Sequence, residues 1–223
     1  MRRKNIVIQS TCNFMRKGLE AAIRDTELSA NLDILGTIDN LEACGGILSS
    51  QRSVNIIVLT LNNHDRNLAS LLQLVGKRLS TLHPDCKVII IGDIIHINLL
   101  KCYFSGLRNV SAILDKEVTI DELSKVLRGI TANKARRTEK ISALLSTREL
   151  QILKMLLEGD TATKIADSLQ LNFRTVSHHK RAALAKLGVR SLSALADLQS
   201  VEKYNKKTSQ LMRYNLKHNL KSV

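Results

Sequence analysis

The sequence predicts a five-stranded parallel α/β unit followed by a separate, all-helical unit of four short helices. Over the first 130 residues, apolar runs of strand length alternate five times with stretches of helical periodicity. A polar, basic stretch at 131–143 then interrupts this pattern, and beyond it apolar residues recur only at helical spacing. Because parallel strands need crossover helices on both faces, the alternation predicts a doubly wound sheet.

Five apolar runs have the length of buried strands. The run NIIVLTL is apolar without alternation, which is typical of a central parallel strand covered on both faces. The predicted strands are 5–8, 32–38, 55–61, 87–91 and 110–114.

Each predicted strand is followed by a predicted helix. Asp39 is suited to cap the second helix, and the third ends before Pro84. Thr119 and Glu122 have the spacing of a capping box at the start of the fifth. The predicted helices are 14–25, 40–50, 67–82, 96–104 and 119–130.

The segment that follows the basic stretch predicts a compact helical arrangement. Ser146 and Glu149 form a second capping box, which opens a helix. Gly159 is suited to the left-handed conformation that ends it. A short helix at 161–169 and a longer basic helix at 174–187 follow, with a turn at Leu171 and Asn172 between them. The predicted inward positions are Leu150, Leu153, Leu156, Leu157, Ile165, Ala166, Leu169, Val176, Ala183, Leu184 and Leu187.

A short helix, a tight turn and a longer basic helix together can place the second helix in the major groove of DNA. Short polar side chains early in that helix allow a close approach, and an arginine one turn later can reach a base edge or a phosphate. The N-termini of both helices are suited to contact the sugar-phosphate backbone. The predicted DNA-binding residues are Thr163, Lys164, Arg174, Thr175, Ser177, His178, Lys180 and Arg181.

These motifs resemble the LuxR/NarL/FixJ-type helix-turn-helix over about 45 residues. The stretches that carry the resemblance are LSTRE at 145–149, Gly159, IADSL at 165–169, TVSHH at 175–179 and KLGV at 186–189. The resemblance implies base contacts by Ser177, His178 and Arg181, and phosphate contacts by Lys164 and Thr175. A fourth helix at 191–201 resembles one that often forms a dimer surface in this family.

The stretch RTVSHHKRAALAKLGV, with ALADL after it, is similar to the Rcs-type auxiliary regulators. This similarity implies double-stranded DNA as one partner. It also implies a homodimer, or a heterodimer with an Rcs-type response regulator. The sequence identifies neither a small-molecule ligand of the N-terminal unit nor a cofactor.

In the same family, the N-terminal domain is often a phospho-acceptor receiver of five βα units. Here Gln9 and Ser10 stand where that family has its acidic, Mg²⁺-binding pair, and Thr60 stands where it has the phospho-accepting aspartate. Gly92 replaces the hydroxyl residue that ends the fourth strand, and Lys116 matches the lysine after the fifth. Since Mg²⁺ prefers carboxylate oxygens, we expect a pseudo-receiver without a phosphorylation site.

A slipped register would change this alignment, because two aspartates lie nearby. These are Asp65, shortly after the third strand, and Asp93, directly after the fourth.

Composition limits the remaining functions. The formal net charge is +14, and residues 144–223 hold 14 Lys/Arg against 6 Asp/Glu, as expected of a unit that binds a polyanion. Aromatic residues are only 3%, which argues against stacking on single-stranded nucleic acid.

No catalytic motif is present, so no enzyme is predicted. The adjacent His178 and His179 diverge by about 100° on a helix, and no metal site is predicted.

We expect no signal peptide, because the apolar run at 6–8 is too short for one. No apolar run reaches membrane-spanning length, and the four cysteines are scattered. We therefore expect a cytoplasmic protein, associated with the nucleoid when it is bound to DNA.

The predicted division of the chain has four parts. Residues 1–130 form the receiver-like domain, 131–143 a basic linker, 144–206 the DNA-binding domain with its motif at about 161–180, and 207–223 a basic tail. For the tail, three interpretations stay open: a helix that packs on a partner, additional phosphate contacts, or a solvated end.

The sequence therefore predicts a bacterial, sequence-specific transcription regulator that acts as a dimer or heterodimer without phosphorylation. Two alternatives compete with it. One is an auxiliary protein that modulates or sequesters a true response regulator and makes little DNA contact of its own. The other is a non-specific, nucleoid-type DNA binder, which the high charge permits.

Overall fold

The computed structural model describes residues 3–24, 27–50, 53–61, 68–104, 107–132, 144–193 and 195. Most of the predicted linker, the predicted fourth helix beyond its first residues, the basic tail and Asp65 lie outside this described part. The strands are β1 Lys4–Gln9, β2 Leu32–Ile38, β3 Ile56–Leu61, β4 Lys87–Gly92 and β5 Val110–Asp115. The helices are α1 Asn13–Arg24, α2 Leu41–Ser50, α3 Leu68–Gln73, α4 Leu79–Leu82, α5 Ile94–Phe104, α6 Ile120–Thr131, α7 Thr147–Leu157, α8 Ala162–Leu169 and α9 Phe173–Lys186.

The five strands form one parallel sheet in the order β2-β1-β3-β4-β5. Every residue of the central strand β3 is buried, because the sheet has an apolar layer on each face. On one face, α1 and α6 contribute Leu19, Ile23, Leu123 and Leu127. On the other face, α2, α3, α4 and α5 cover the sheet. The predicted fold, a five-stranded parallel sheet followed by helices, is confirmed.

Two details of the sheet unit differ from the sequence prediction. The side chain of Asn40, rather than Asp39, caps α2, since its Oδ1 accepts the N–H of Ala43 at 2.6 Å. The predicted continuous helix at 67–82 contains a π-helical segment, Leu74–Arg78, between α3 and α4. Apolar periodicity does not reveal a single widened turn, because the same residues stay on the buried side.

The predicted capping boxes are present at both positions. Thr119 and Glu122 exchange hydrogen bonds at the start of α6, and Ser146 and Glu149 do the same at the start of α7. Gly159 follows the C-terminus of α7 with φ +99°, in the left-handed region that a side chain would strain.

Helix α7 has two apolar faces, whereas its sequence predicts one face with Leu150, Leu153, Leu156 and Leu157. Ile152 and Leu156 pack on α8 and α9, with Ile165 and Val176. Leu150 and Leu153 belong instead to the cluster that includes Ala183, Leu184 and Leu187 of α9. That cluster continues without a break into the core of the sheet unit, through the apolar side chains of α3, α4 and α5.

Polar contacts reinforce this shared core. The Tyr103 hydroxyl of α5 accepts the backbone N–H of Leu145 at 2.8 Å, in a buried position. Lys77, in the π-helical segment, donates to the Thr147 hydroxyl at 2.5 Å. Leu144 packs over Gly76, where a Cβ atom would lie 3.8 Å from Leu144 Cδ2. The two units, residues 3–132 (the sheet unit) and 144–195 (the helical unit), are therefore docked through a continuous apolar contact.

A partly buried ion pair ties the start of α7 to the end of α9. The Glu149 carboxylate accepts the Ser146 N–H at 2.6 Å and the Lys186 ammonium at 2.8 Å. Lys186 also donates to the carbonyl of Leu144 at 3.2 Å. Burial opposes ionisation of Glu149, but the hydrogen bonds from Lys186 and Ser146 outweigh it and hold the pKa of this carboxyl below its ordinary value.

Because the folded-state pKa of Glu149 is lowered, the pair contributes stability above the unfolded pKa of about 4.3, and this contribution is lost as pH falls through the folded value. We expect Glu149→Gln to lower the free energy of unfolding at pH 7 by about 2 kcal/mol. The difference from wild type should shrink below about pH 4. Urea unfolding at pH 7 and at acid pH measures both values.

The control is Glu158→Gln, which removes an exposed carboxylate 3.9 Å from Lys154 on the same helix. It should change the free energy of unfolding by less than about 0.5 kcal/mol. A Glu149→Gln variant as stable as this control at pH 7 would contradict the assigned role of the ion pair.

Candidate DNA-binding surface

Helices α8 and α9 form a helix-turn-helix with the predicted turn. Gln170 adopts a left-handed conformation, with φ +52°, and the N–H of Leu171 returns to the carbonyl of Ala166 at 2.9 Å. The Asn172 side chain then caps α9 by accepting the N–H of Arg174 at 2.8 Å. Buried Ala166 and Val176 hold the two helices together, since a small residue at the crossing permits close packing.

The outer face of α9 collects most of the predicted DNA-binding residues. Arg174, Thr175, His178 and Arg181 are exposed, whereas Ser177 and Lys180 are half-buried on the same helix. The Arg181 Nε atom donates to the Ser177 carbonyl at 3.4 Å, so that its side chain runs back along the helix. No acidic residue lies between Phe173 and Lys186, so α9 itself supplies no carboxylate to offset the positive charge of this face.

The other two predicted residues, Thr163 and Lys164, are exposed in the first turn of α8. The Lys164 ammonium lies 2.6 Å from the Asp160 carboxylate. The hydrogen bond and the charge of Asp160 raise the pKa of Lys164. A phosphate at this helix end would therefore share the ammonium with Asp160.

One residue of this surface is missing from the sequence prediction. Phe173 is the first residue of α9, and 53% of its side chain is exposed. The predicted helix begins one residue later, at 174. Asn172 carries the signal that could have corrected this, since asparagine is a favoured N-cap and the helix starts directly after its cap.

The two histidines of α9 do not form a metal site with other described side chains. The rings of His178 and His179 lie 5.8 Å apart, edge to face. Within the described ranges, no three side chains of His, Cys, Asp or Glu come together in a way that could hold a metal ion.

At the carboxyl edge of the sheet, the positions of the receiver-like acceptor site come together. Gln9 ends β1 and is followed by Ser10, while Thr60 lies beside them on β3. All three are buried, and the side-chain Oε1 of Gln9 accepts the N–H of Thr60 at 3.3 Å. Neutral oxygens and an amide do not fit Mg²⁺, which prefers carboxylate ligands.

Asp93, the aspartate after β4, pairs with Lys116, the lysine that matches the family's. Asp93 is buried and forms an ion pair with Lys116, which follows β5. The Lys116 N–H also donates to the Gly92 carbonyl at 2.9 Å. In this structure, Lys116 therefore neutralises a carboxylate of the neighbouring strand end.

None of the described helices is both long and apolar enough to cross a membrane.

Known bacterial regulatory proteins are similar to this chain along most of its length. Residues 143–199 match the family of bacterial regulatory proteins described as the luxR family. The transcriptional regulatory protein RcsB of Escherichia coli K12 is 30% identical over 190 residues, covering 82% of this chain and 74% of RcsB. The fimbriae Z protein of the same organism is 39% identical over 74 residues, or 33% of this chain and 35% of that protein.

Solved structures of RcsB share the fold. RcsB from Salmonella enterica serovar Typhimurium, bound to promoter P1flhDC with phosphomimetic BeF₃⁻, matches with a TM-score of 0.57 at 22% identity. That match covers 90% of this chain and all of the other. The same protein bound to promoter rprA matches with a TM-score of 0.54 at 19% identity, covering 90% of this chain and 99% of the other.

Three findings lead to one conclusion. The chain has a receiver-like sheet unit, a helix-turn-helix with the family's motifs, and a relative that is similar along most of its length. The chain belongs to the luxR family of bacterial regulatory proteins, as a DNA-binding transcription regulator related to RcsB.

Proposed function

We propose that this chain regulates transcription by binding specific DNA sequences through α9, in the cytoplasm and on the nucleoid. The observation that carries the proposal is the outer face of α9, where basic and short polar side chains are exposed together and no acid is present. Such a face suits the major groove, where charge attracts the phosphates and polar side chains reach the base edges.

The predicted residues have separate roles in this proposal. Ser177, His178 and Arg181 contact base edges. Thr163, Lys164 and Thr175 contact phosphates near the helix N-termini and fix the position of α9 in the groove. Arg174 and Lys180 flank the central positions and add to the counterion release that drives binding.

We propose further that binding needs no phosphate-driven release of the helical unit. Arg174, Thr175, His178 and Arg181 are exposed while the two units are docked. The neutral residues Gln9, Ser10 and Thr60 supply neither the metal ligands nor the nucleophile of aspartyl-phosphate chemistry. The docked arrangement is thus the DNA-binding form, and the non-enzymatic sheet unit serves as a receiver-like support.

One helix-turn-helix reads only a few base pairs, so specific binding requires two copies on paired half-sites. We propose a homodimer or a heterodimer with an Rcs-type response regulator. Exposed apolar side chains support a protein contact at the start of α1 and α6: Phe14 is 89% exposed and Ile120 is 59% exposed. The division at 1–130, 131–143, 144–206 and 207–223 is retained as part of this proposal.

The same exposed pair, Phe14 and Ile120, favours a second candidate function, the sequestration of a response regulator through the sheet unit. This candidate makes no use of the basic face of α9. It therefore predicts that substitutions on α9 leave the function of the protein unchanged.

The proposed function is tested by selecting duplexes from a random library with the full-length protein. We expect one enriched motif, bound with a Kd that rises steeply with salt. Arg181→Ala with Lys180→Ala should weaken binding of the selected duplex at least about tenfold and should lower the salt slope by about one for each phosphate that is no longer neutralised. Fluorescence anisotropy at several salt concentrations measures both.

The matched control is Lys101→Ala with Arg108→Ala, which removes the same charge from exposed positions on the sheet unit. This variant should keep the wild-type affinity within about threefold. Enrichment of no motif, or equal loss of binding in both double variants, would exclude sequence-specific binding through α9.

Independence from phosphorylation is a separate prediction. After incubation with acetyl phosphate and Mg²⁺, we expect no phosphoryl adduct in the intact mass of the protein and an unchanged Kd for the selected duplex. The reason is the absence of a carboxylate at Gln9, Ser10 and Thr60. A phosphorylatable response regulator in the same reaction controls for donor activity. A hydroxylamine-sensitive adduct on this chain, as an aspartyl phosphate gives, would show that the acceptor site has a different register.

A further inference from the structure

Phe173 is an exposed apolar side chain on a helix whose outer face is otherwise polar and basic. The core does not require it, because Val176 is the fully buried residue that anchors the start of α9. The N-cap does not require it either, because the Asn172 side chain makes that hydrogen bond. The exposed part of Phe173 is therefore available to a partner.

The position of Phe173 on the helix identifies that partner. Residues four apart lie one above the other on a helix, offset by about 40°, so that Phe173, Ser177 and Arg181 form one ridge. Arg181 Nε donates to the Ser177 carbonyl at 3.4 Å, and its side chain thus lies along this ridge. Ser177 and Arg181 are two of the proposed base-contacting residues, and Phe173 extends their row to the N-terminal tip.

The N-terminal residues of a recognition helix are those that contact base edges in the major groove. In that groove, the C5-methyl group of thymine is the one apolar feature of an unmodified base pair, and phenylalanine can contact it. Building on the proposed function, we propose that Phe173 is a specificity-determining residue that selects a thymine by packing on its C5-methyl group. A phenyl ring offers no hydrogen bond, so the contact adds no selection among the other bases.

The test uses the duplex that the full-length wild-type protein enriches from a random library. Each conserved thymine is replaced in turn by deoxyuridine, which removes only the methyl group. Burial of one methyl group corresponds to about a fourfold change in Kd, or about fifteenfold when both half-sites are changed. We expect this loss at one thymine position in each half-site and little change at the others.

Phe173→Ala supplies the second half of the test. It should bind the thymine duplex less tightly than wild type and should bind the thymine and deoxyuridine duplexes equally at that position. The control, Leu82→Ala, removes an exposed apolar side chain from the sheet unit and should keep the wild-type ratio of the two Kd values. The measurement on wild type does not depend on the folding of either variant.

Several outcomes would overturn the inference. The first is an enriched motif with no fixed thymine. The second is a wild-type Kd that is the same for the thymine duplex and for every deoxyuridine duplex. The third is a Phe173→Ala variant in which the ratio of these two Kd values is as large as in wild type. In all three, the protein still selects a sequence and the proposed function stands. If the protein enriches no motif, the proposed function fails and this inference fails with it.

Discussion

The apolar contact between α7 and the sheet unit is the constraint on which the arrangement of this molecule depends. Leu150 and Leu153 join a cluster that runs from α9 into the layer formed by α3, α4 and α5. The buried hydrogen bond between Tyr103 and Leu145 fixes the chain at the entrance to the helical unit. Because α7 is held on this side, its other apolar face, with Ile152 and Leu156, carries α8 and α9. The basic face of α9 is consequently open to solvent in the docked state.

The sheet edge where the family's acceptor site would lie connects to the helical unit through α5. The ion pair of Lys116 with Asp93 joins the ends of two strands at the edge where the family's acceptor site would lie. Helix α5 begins directly after Asp93 and carries Tyr103 near its other end. Gln9 and Thr60, at the same edge, are neutral and buried. We propose that this edge undergoes no phosphate-dependent charge change. We infer that the sheet unit holds the helical unit in one position, and that protein level or a partner sets activity instead.

Much of the fold was predictable, because each element carries a local signal. The apolar run of β3, the Thr119–Glu122 and Ser146–Glu149 capping boxes, and Gly159 all formed as predicted. The docking of the units was not predictable, since periodicity marks a residue as buried without naming what covers it. Leu150 and Ile152 look alike in sequence and pack on different partners. The candidate site followed from the family motifs, whereas Phe173 was missed because its exposure depends on where the helix starts. The site roles themselves stay predictions.

The most direct test of DNA binding in the docked state is the affinity of a protein whose two units are held together. Lys77→Cys and Thr147→Cys place thiols at a contact between the units, where a short bifunctional maleimide can join them. Cys12 and Cys102 are replaced by serine, whereas Cys44 and Cys86 stay, because burial raises the pKa of each thiol to about 12 and keeps it unreactive. If the docked form binds DNA, the Kd for the selected duplex is the same before and after cross-linking. Loss of binding on cross-linking would show that the units must separate, and would contradict this mechanism.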